Sequence, residues 1–305
     1  MIPFQPGILA PIPAAARHLQ FHLAPGQDPE AMRATLERLA ASVDGEHVVL
    51  GIGLPLVAAL GRCVPGLHDF PAYQSAAVDI PATPTALWCW LRGEDRGTLL
   101  HQGRDIERLL APAFHLTQNL EAFRYENSLD LTGYEDGTEN PQGEAALAAA
   151  FTRDQEPGLD GGSIAALQQW VHDLDRFQTL TPLEQDHSFG RRKADNEEIE
   201  DAPESAHVKR TAQEDFEPEA FVLRRSMPWS DCGRSGLMFL AFGRDARAFE
   251  AQLRRMTGQD DGILDALFRF TRPLTGAYFW CPPMLQGRPD LRLLDMRQPA
   301  PCSAV

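Results

Sequence analysis

The chain has 305 residues, and its 28 Lys and Arg stand against 43 Asp and Glu, a formal charge of −15 with a pI near 5.0. So acidic a chain lacks the basic face that phosphates need, which argues against nucleic acid and against an anionic membrane surface. Apolar residues make up 43%, enough for a core and too few for a membrane protein, and the longest uncharged stretch, about residues 47–61, falls short of the ~20 residues a span requires.

At roughly 150 residues per domain, the length fits two domains or one large one. Glycine and proline, 24 of each, punctuate the chain into short elements. Residues 16–24 read as a strand, and 28–43 as a helix with Met32, Leu36, Leu39 and Ala40 at three-to-four spacing, Asp28 as its N-cap and Pro29 at its first position. EHVVLGIG (46–53) is a strand, LPLVAALG a short helix, 85–93 a strand, 95–112 a helix and 114–125 extended. This order gives a split βαβ arrangement, so the first half is α+β. The second half repeats it. Residues 163–177 end as a strand, 181–190 are helical, and 221–229 and 237–244 are strands. DARAFEAQLRRMTG (245–258) is an amphipathic helix stopped by Gly258, and 277–283 is a last strand. Two α+β halves of about 130 residues suggest an internal duplication. The acidic tract 194–205 is by composition either a disordered linker or a surface loop that delivers His207 into the core.

Three segments carry candidate chemistry. In LTGYEDGTENP (131–141), glycines at 133 and 137 flank Asp136 and permit close approach of a ligand, although Asp-Gly is also a favoured pair for an ordinary surface turn. In SAHVKR (205–210), His207 stands alone. The nine histidines show no HxxH or HExxH spacing for zinc, whereas haem iron needs a single protein ligand; a merely hydrogen-bonded histidine is the plainer alternative. In FVLRRSMPW (221–229), the side chains of adjacent Arg224 and Arg225 must point to opposite sides of a strand. One can stay solvated while the other needs an anionic partner such as Asp136, unless both lie wet at a sheet edge. No nucleophile elbow, P-loop or dinucleotide fingerprint is present, and Gly51-Ile-Gly53 and Asp160-Gly-Gly-Ser163 are too short to cradle phosphates.

Together these residues resemble the dye-decolorizing peroxidases, a family of haem enzymes, and look most like its short bacterial class-B members. GYEDGT (133–138) matches the family's GxxDG motif, AHVKR (206–210) its proximal histidine segment and VLRRSMPW (222–229) its distal arginine strand. WVHDLDRF (170–177) and FGRRK (189–193) are similar to family segments between them. The resemblance spans nearly the whole chain. It implies two ferredoxin-like halves with antiparallel sheets, of the dimeric α+β barrel type, divided as residues 1–145 and 146–305, with haem b (iron protoporphyrin IX) in the C-terminal half. Carried over by position, His207 ligates the iron, Asp136 is the distal carboxylate, Arg224 the distal guanidinium and Ser226 a further distal polar group. Arg191 meets a haem propionate, and Gly137 and Thr138 of the motif face the cofactor. The family's acid behind the proximal histidine aligns with Arg269, with Asp265 one turn earlier.

The implied activity is reduction of hydrogen peroxide through a ferryl intermediate, with oxidation of dyes, phenols or other small-molecule reductants. Bulky reductants would deliver electrons through surface aromatics, for which Trp170, Trp229, Tyr278 and Trp280 are candidates, although aromatics on strands are more often simply core. A haem-binding or iron-handling role is the alternative, and a haem-free interaction module the third. The expected partners are peroxide, reductant and further copies of the chain in a homo-oligomer, with no nucleic acid and no membrane. The N-terminus has no basic segment ahead of an apolar one, and the five cysteines are scattered with no CxxC. Both features point to a cytoplasmic protein without a disulfide scaffold or a cysteine zinc site. Some class-B relatives carry a C-terminal loading peptide, which the Pro-rich tail 295–305 does not resemble.

Overall fold

A computed structural model describes residues 3–75 and 77–294. Eight strands form its centre: β1 Ala15–Leu23, β2 Val48–Gly53, β3 Leu87–Gly93, β4 Phe114–Phe123, β5 Ser163–His172, β6 Met227–Asp231, β7 Arg234–Gly243 and β8 Ala277–Cys281. Their order is β5-β8-β2-β3-β1-β4-β6-β7, and β7 pairs back onto β5, so the sheet closes into an antiparallel barrel. Short strands at 271–273 and 223–224 extend it along β5 and β7. The halves therefore do not form separate sheets. Four strands from each run side by side around one barrel, and the seams are Ala122 opposite Trp229 and Phe279 opposite Gly53. Numbered within its own half, each set has the same order, 2-3-1-4.

Period-two alternation sorts the strand residues between two cores. Trp88 and Trp90 of β3 point into the barrel with Phe242, Phe279 and Trp229. Leu87, Cys89 and Leu91 point outward under the helices. Gly51 sits where an added Cβ would lie 2.7 Å from both Phe279 and Trp88, so it is a packing glycine rather than part of a phosphate loop. The covering helices include α1 Pro29–Ala40, α2 Arg96–Leu110 and α5 Arg247–Met256. Asp28 and Asp95 begin α1 and α2 by accepting the N–H of Ala31 at 2.8 Å and of Thr98 at 2.7 Å, each satisfying a donor the helix itself leaves open. The opening segment is moored to the barrel through Gln5. Its side chain accepts Leu50 N–H at 2.7 Å and donates to the carbonyls of Leu50 and Pro282 at 2.9 and 3.2 Å.

Three sequence expectations change. The strand read over 163–177 ends at His172, because Asp173 caps a short helix over Leu174–Thr179. The strand read over 221–229 is broken, with Arg225 and Ser226 at the break. Cys63 is disulfide-bonded, since spacing along the chain does not decide which thiols meet in space. Among the described residues Cys89, Cys232 and Cys281 are free, and no helix is long and apolar enough to cross a membrane. The tail reading, over 295–305, falls outside the described residues.

Candidate functional site

The turn that carries Asp136 is built from its own main chain. Tyr134 C=O accepts from Asp130 N–H at 2.8 Å, and Asp136 N–H donates to Ser128 C=O at 3.3 Å. Gly137 follows at φ +80°, and a Cβ there would lie 2.7 Å from the Asn140 carboxamide. That carboxamide does more than close the turn. Its Oδ1 accepts Arg224 N–H at 2.7 Å and its Nδ2 donates to Arg224 C=O at 3.1 Å. It thus pairs with the open edge of the 223–224 strand as a neighbouring strand would, and fixes the acid-bearing loop to the arginine-bearing strand. Arg224 Nη1 stands 3.5 Å from Asp136 Oδ1, with about a fifth of each side chain exposed.

Neither arginine of the pair is wet. Arg225 points the other way and finds carbonyls rather than an acid, donating to Ile8 C=O at 3.1 Å and Leu9 C=O at 2.9 Å. Burial, aided by repulsion from Arg92, lowers its pKa to about 10, so it remains charged at neutral pH. The break in the strand lets two adjacent arginines serve two different partners.

His207 opens a single helical turn, α4 His207–Arg210. The preceding acidic tract is a folded loop, tied by Ile199 N–H to Gly190 C=O at 2.9 Å and Arg191 to Glu198 at 3.3 Å. Arg210 anchors the turn from below, donating to Asp261 and to Arg255 C=O near the end of α5, both at 2.7 Å. His207 Nδ1 lies 2.7 Å from Asp265 Oδ2, and the other oxygen of that buried carboxylate accepts Leu267 N–H at 2.8 Å. Asp265 is thus the acid behind the histidine, and Arg269 is not. A 3-10 turn begins at Asp265 and carries Arg269 to the surface.

His207, Asp136 and Arg224 all line one cavity, with about 1140 Å³ free of protein atoms and partly open to solvent. Thr138 and Arg191 line it too. The Arg191 guanidinium is already paired with Glu139 and Glu198 and donates to Asn196 C=O at 2.9 Å. Ser226 does not reach this cavity. It is buried in a small cleft behind Asp136, its Oγ accepting Leu240 N–H at 3.4 Å. Gly137 shapes the turn without lining the wall, and Trp170, Trp229, Tyr278 and Trp280 are also absent from it. A second histidine was missed in the sequence. His172, on the cavity wall, bonds Asp130 at 2.9 Å through Nε2 and Thr271 at 2.7 Å through Nδ1. Burial raises the Asp130 pKa, but the bonds from His172 and Thr132 outweigh it and hold the carboxyl below its ordinary value.

The donor set suits haem. His207 has one nitrogen committed to an acid and the other open toward the cavity it lines. Among the described residues no group of three or more His, Cys, Asp or Glu could hold a bare metal ion.

Residues 127–286 match the family described as "Dyp-type peroxidase, C-terminal". A dye-decolorizing peroxidase of Mycolicibacterium paratuberculosis is 29% identical over 302 residues, covering 92% of this chain and 84% of that one. One from Rhodococcus erythropolis is 29% identical, covering 90% and 85%. The dye-decolorizing protein from V. cholerae superposes with a TM-score of 0.82 at 27% identity, over 90% of this chain and 96% of that one. A variant of Rhodococcus jostii DypB, solved in complex with haem, superposes at 0.80 with 26% identity, over 90% and 94%. The family match takes in more than half the chain and runs through the acid, the histidine and the arginine alike, so this protein belongs to the Dyp-type peroxidases and is a peroxidase enzyme.

Proposed function

We propose that the cavity holds haem b, and that the enzyme reduces hydrogen peroxide there while oxidising dyes, phenols or other small organic reductants. One observation carries this reading: His207, with an open nitrogen, shares a cavity with the Asp136–Arg224 pair. We further read the matching strand orders as two ferredoxin-like halves, residues 1–145 and 146–305, closed onto one barrel.

When bound, haem supplies the iron that takes electrons from reductants and passes them to peroxide. His207 Nε2 would hold that iron. Its Nδ1–H donates to Asp265, which fixes the tautomer and raises the basicity of the ligating nitrogen. Peroxide must lose a proton from one oxygen and gain it on the other before the O–O bond breaks, and Asp136 would take that proton and return it. Arg224 would stabilise the negative charge that develops on the departing oxygen. Their separation of 3.5 Å leaves the carboxylate free to accept a proton from substrate. Arg191 has donors beyond the three it uses, and with these it would hold a haem propionate while still paired with Glu139 and Glu198. Ser226 is too deeply buried behind Asp136 to touch substrate, and we leave it out of the machinery.

The test is the absorption spectrum of haem-loaded protein, wild type and His207→Ala, before and after one equivalent of peroxide. A Soret band that depends on His207 and responds promptly is expected. Asp136→Asn and Arg224→Leu should keep haem and slow the response by about 100-fold or more, the scale of a lost proton-transfer group or charge stabiliser. Haem that is bound but inert to peroxide would turn the reading toward haem handling.

A further inference from the structure

Asp136 closes a tight hairpin. Its N–H donates to Ser128 C=O at 3.3 Å, Leu129 pairs with Glu135, and Asp130 N–H donates to Tyr134 C=O at 2.8 Å, with Gly133 at φ +87° in the tip. A two-stranded hairpin is at best marginally stable by itself, so its place depends on what holds it from outside. Tyr134 donates to Asp186 of helix α3 Pro182–Phe189, the Lys193 ammonium to Thr132 C=O at 2.7 Å, and Asn196 to Glu135 at 2.9 Å. Those partners lie outside the barrel. Among the described residues, the hairpin's side-chain tie to the eight barrel strands is the bond from His172, at the end of β5, to Asp130.

That tie is buried, with 6% of the His172 side chain and 11% of the Asp130 side chain exposed. Asp130 Oδ1 faces His172 Nε2 at 2.9 Å, while Oδ2 accepts the N–H of Thr132 at 2.9 Å and its hydroxyl. The carboxyl is ionised and can only accept, so Nε2 carries the proton and donates it. His172 Nδ1 is engaged by the Thr271 hydroxyl at 2.7 Å. With both ring nitrogens committed, His172 can neither ligate iron nor take a proton from substrate. What it can do is fix Asp130. Without that donor a buried carboxylate would be one partner short, which is costly enough to drive it toward water. Asp130 is bonded across the hairpin to Tyr134, two residues before Asp136, so the returning strand would move with it.

We propose that His172 is a positioning residue for peroxide activation: through Asp130 it holds the hairpin in place and so keeps Asp136 beside Arg224 in the cavity. This rests on the reading that peroxide is reduced in that cavity.

The experiment mixes haem-loaded protein with peroxide in a stopped flow and follows the Soret band of wild type, His172→Leu, His172→Gln, Asp136→Asn and the double variant with both His172→Leu and Asp136→Asn. His172→Leu should keep the resting spectrum and slow the response by up to about 100-fold, the scale of a catalytic group misplaced by an ångström. His172→Gln, whose amide nitrogen can stand in for Nε2, should recover most of the rate. In the Asp136→Asn background His172→Leu should cost nothing further, because its effect passes through the group already removed. In steady state kcat/KM for peroxide should fall while kcat/KM for an anthraquinone dye holds. Amide hydrogen exchange of the same haem-loaded protein should quicken over 128–136 in His172→Leu and stay as in wild type over β3. A wild-type Soret band that ignores peroxide overturns the haem peroxidase reading, and this one with it. A responsive wild type matched in rate by folded His172→Leu overturns the positioning role alone. So does unchanged exchange over the hairpin, a glutamine variant as slow as the leucine one, or a full His172→Leu loss on top of Asp136→Asn. If His172→Leu does not fold, Asp130→Asn, which keeps the shape but cannot accept at both ends, replaces it in the same cycle, and an undiminished rate there overturns the proposal.

Discussion

Asp265 has no surface to relax into: both carboxylate oxygens are committed, one to His207 Nδ1 and one to Leu267 N–H. Replacing it with asparagine keeps the shape and removes the charge. We expect Asp265→Asn to raise the reduction potential of bound haem, measured by redox titration, and to slow the Soret response to peroxide roughly 10–100-fold, the usual cost of losing a partner behind a metal ligand. Asp130 gives a prediction in pH. Its folded pKa is depressed, while in the unfolded chain a carboxyl titrates near ~3.9. The stability it contributes is therefore complete above that value and is lost as pH falls below about 4 toward the folded pKa, where the unfolded chain binds the proton first. Urea melts from pH 6 down to pH 3 should show wild type losing this increment and Asp130→Asn lacking it. At this scale the motif segments single out Asp136, His207 and Arg224, which the fold brings to one cavity. Asp265 slipped by one turn because the 3-10 geometry that faces it toward His207 has no local signature.

Elements bounded by local chemistry were the easiest to foresee. The helices expected at 28–43 and 95–112 appear as Pro29–Ala40 and Arg96–Leu110, because an aspartate N-cap and an apolar stripe are local facts. The strand expected at 221–229 breaks because of partners more than 200 residues away, the carbonyls of Ile8 and Leu9 that hold Arg225. Asn140 escaped notice for a similar reason. It lies within the 131–141 segment beside Asp136, and its work is done on Arg224, 84 residues later. Asn140→Ala removes both bonds to the Arg224 main chain. It should cost about 1–3 kcal/mol of stability at the usual worth of a hydrogen bond. The peroxide response should slow with the Soret band otherwise intact, and Asn140→Asp, which keeps the acceptor but loses the donor, should recover only part of it. Stopped-flow rates together with thermal melts separate the two effects.

For the molecule as a whole, the sequence shows two α+β halves and hides how they meet. Repetition is visible in element order, but the closing pairs between β4 and β6 and between β2 and β8 bring together residues from opposite halves. No spacing rule announces such contacts. Each half alone would expose the edges that its partner covers, a state prone to edge-to-edge association. We expect the whole chain to unfold in urea as one transition. Near-ultraviolet circular dichroism, which reports the packed Trp88 and Trp90, should coincide with far-ultraviolet loss of strand, and a fragment of residues 1–145 should show no comparable transition. Two separated transitions would show the halves to be independent.

The opening segment, moored by Gln5 and lending the carbonyls of Ile8 and Leu9 to Arg225, gives the far end of the chain a grip on the cavity wall that Arg224 forms. Arg225 is bonded on one side to those carbonyls and on the other is covalently joined to Arg224. A deletion through Leu9, or a fusion that drags this segment outward, would strand a buried cation and let the neighbouring guanidinium swing away from Asp136. An affinity tag placed there for convenience could therefore produce a well-folded, sluggish enzyme whose defect lies in the handle rather than the catalyst.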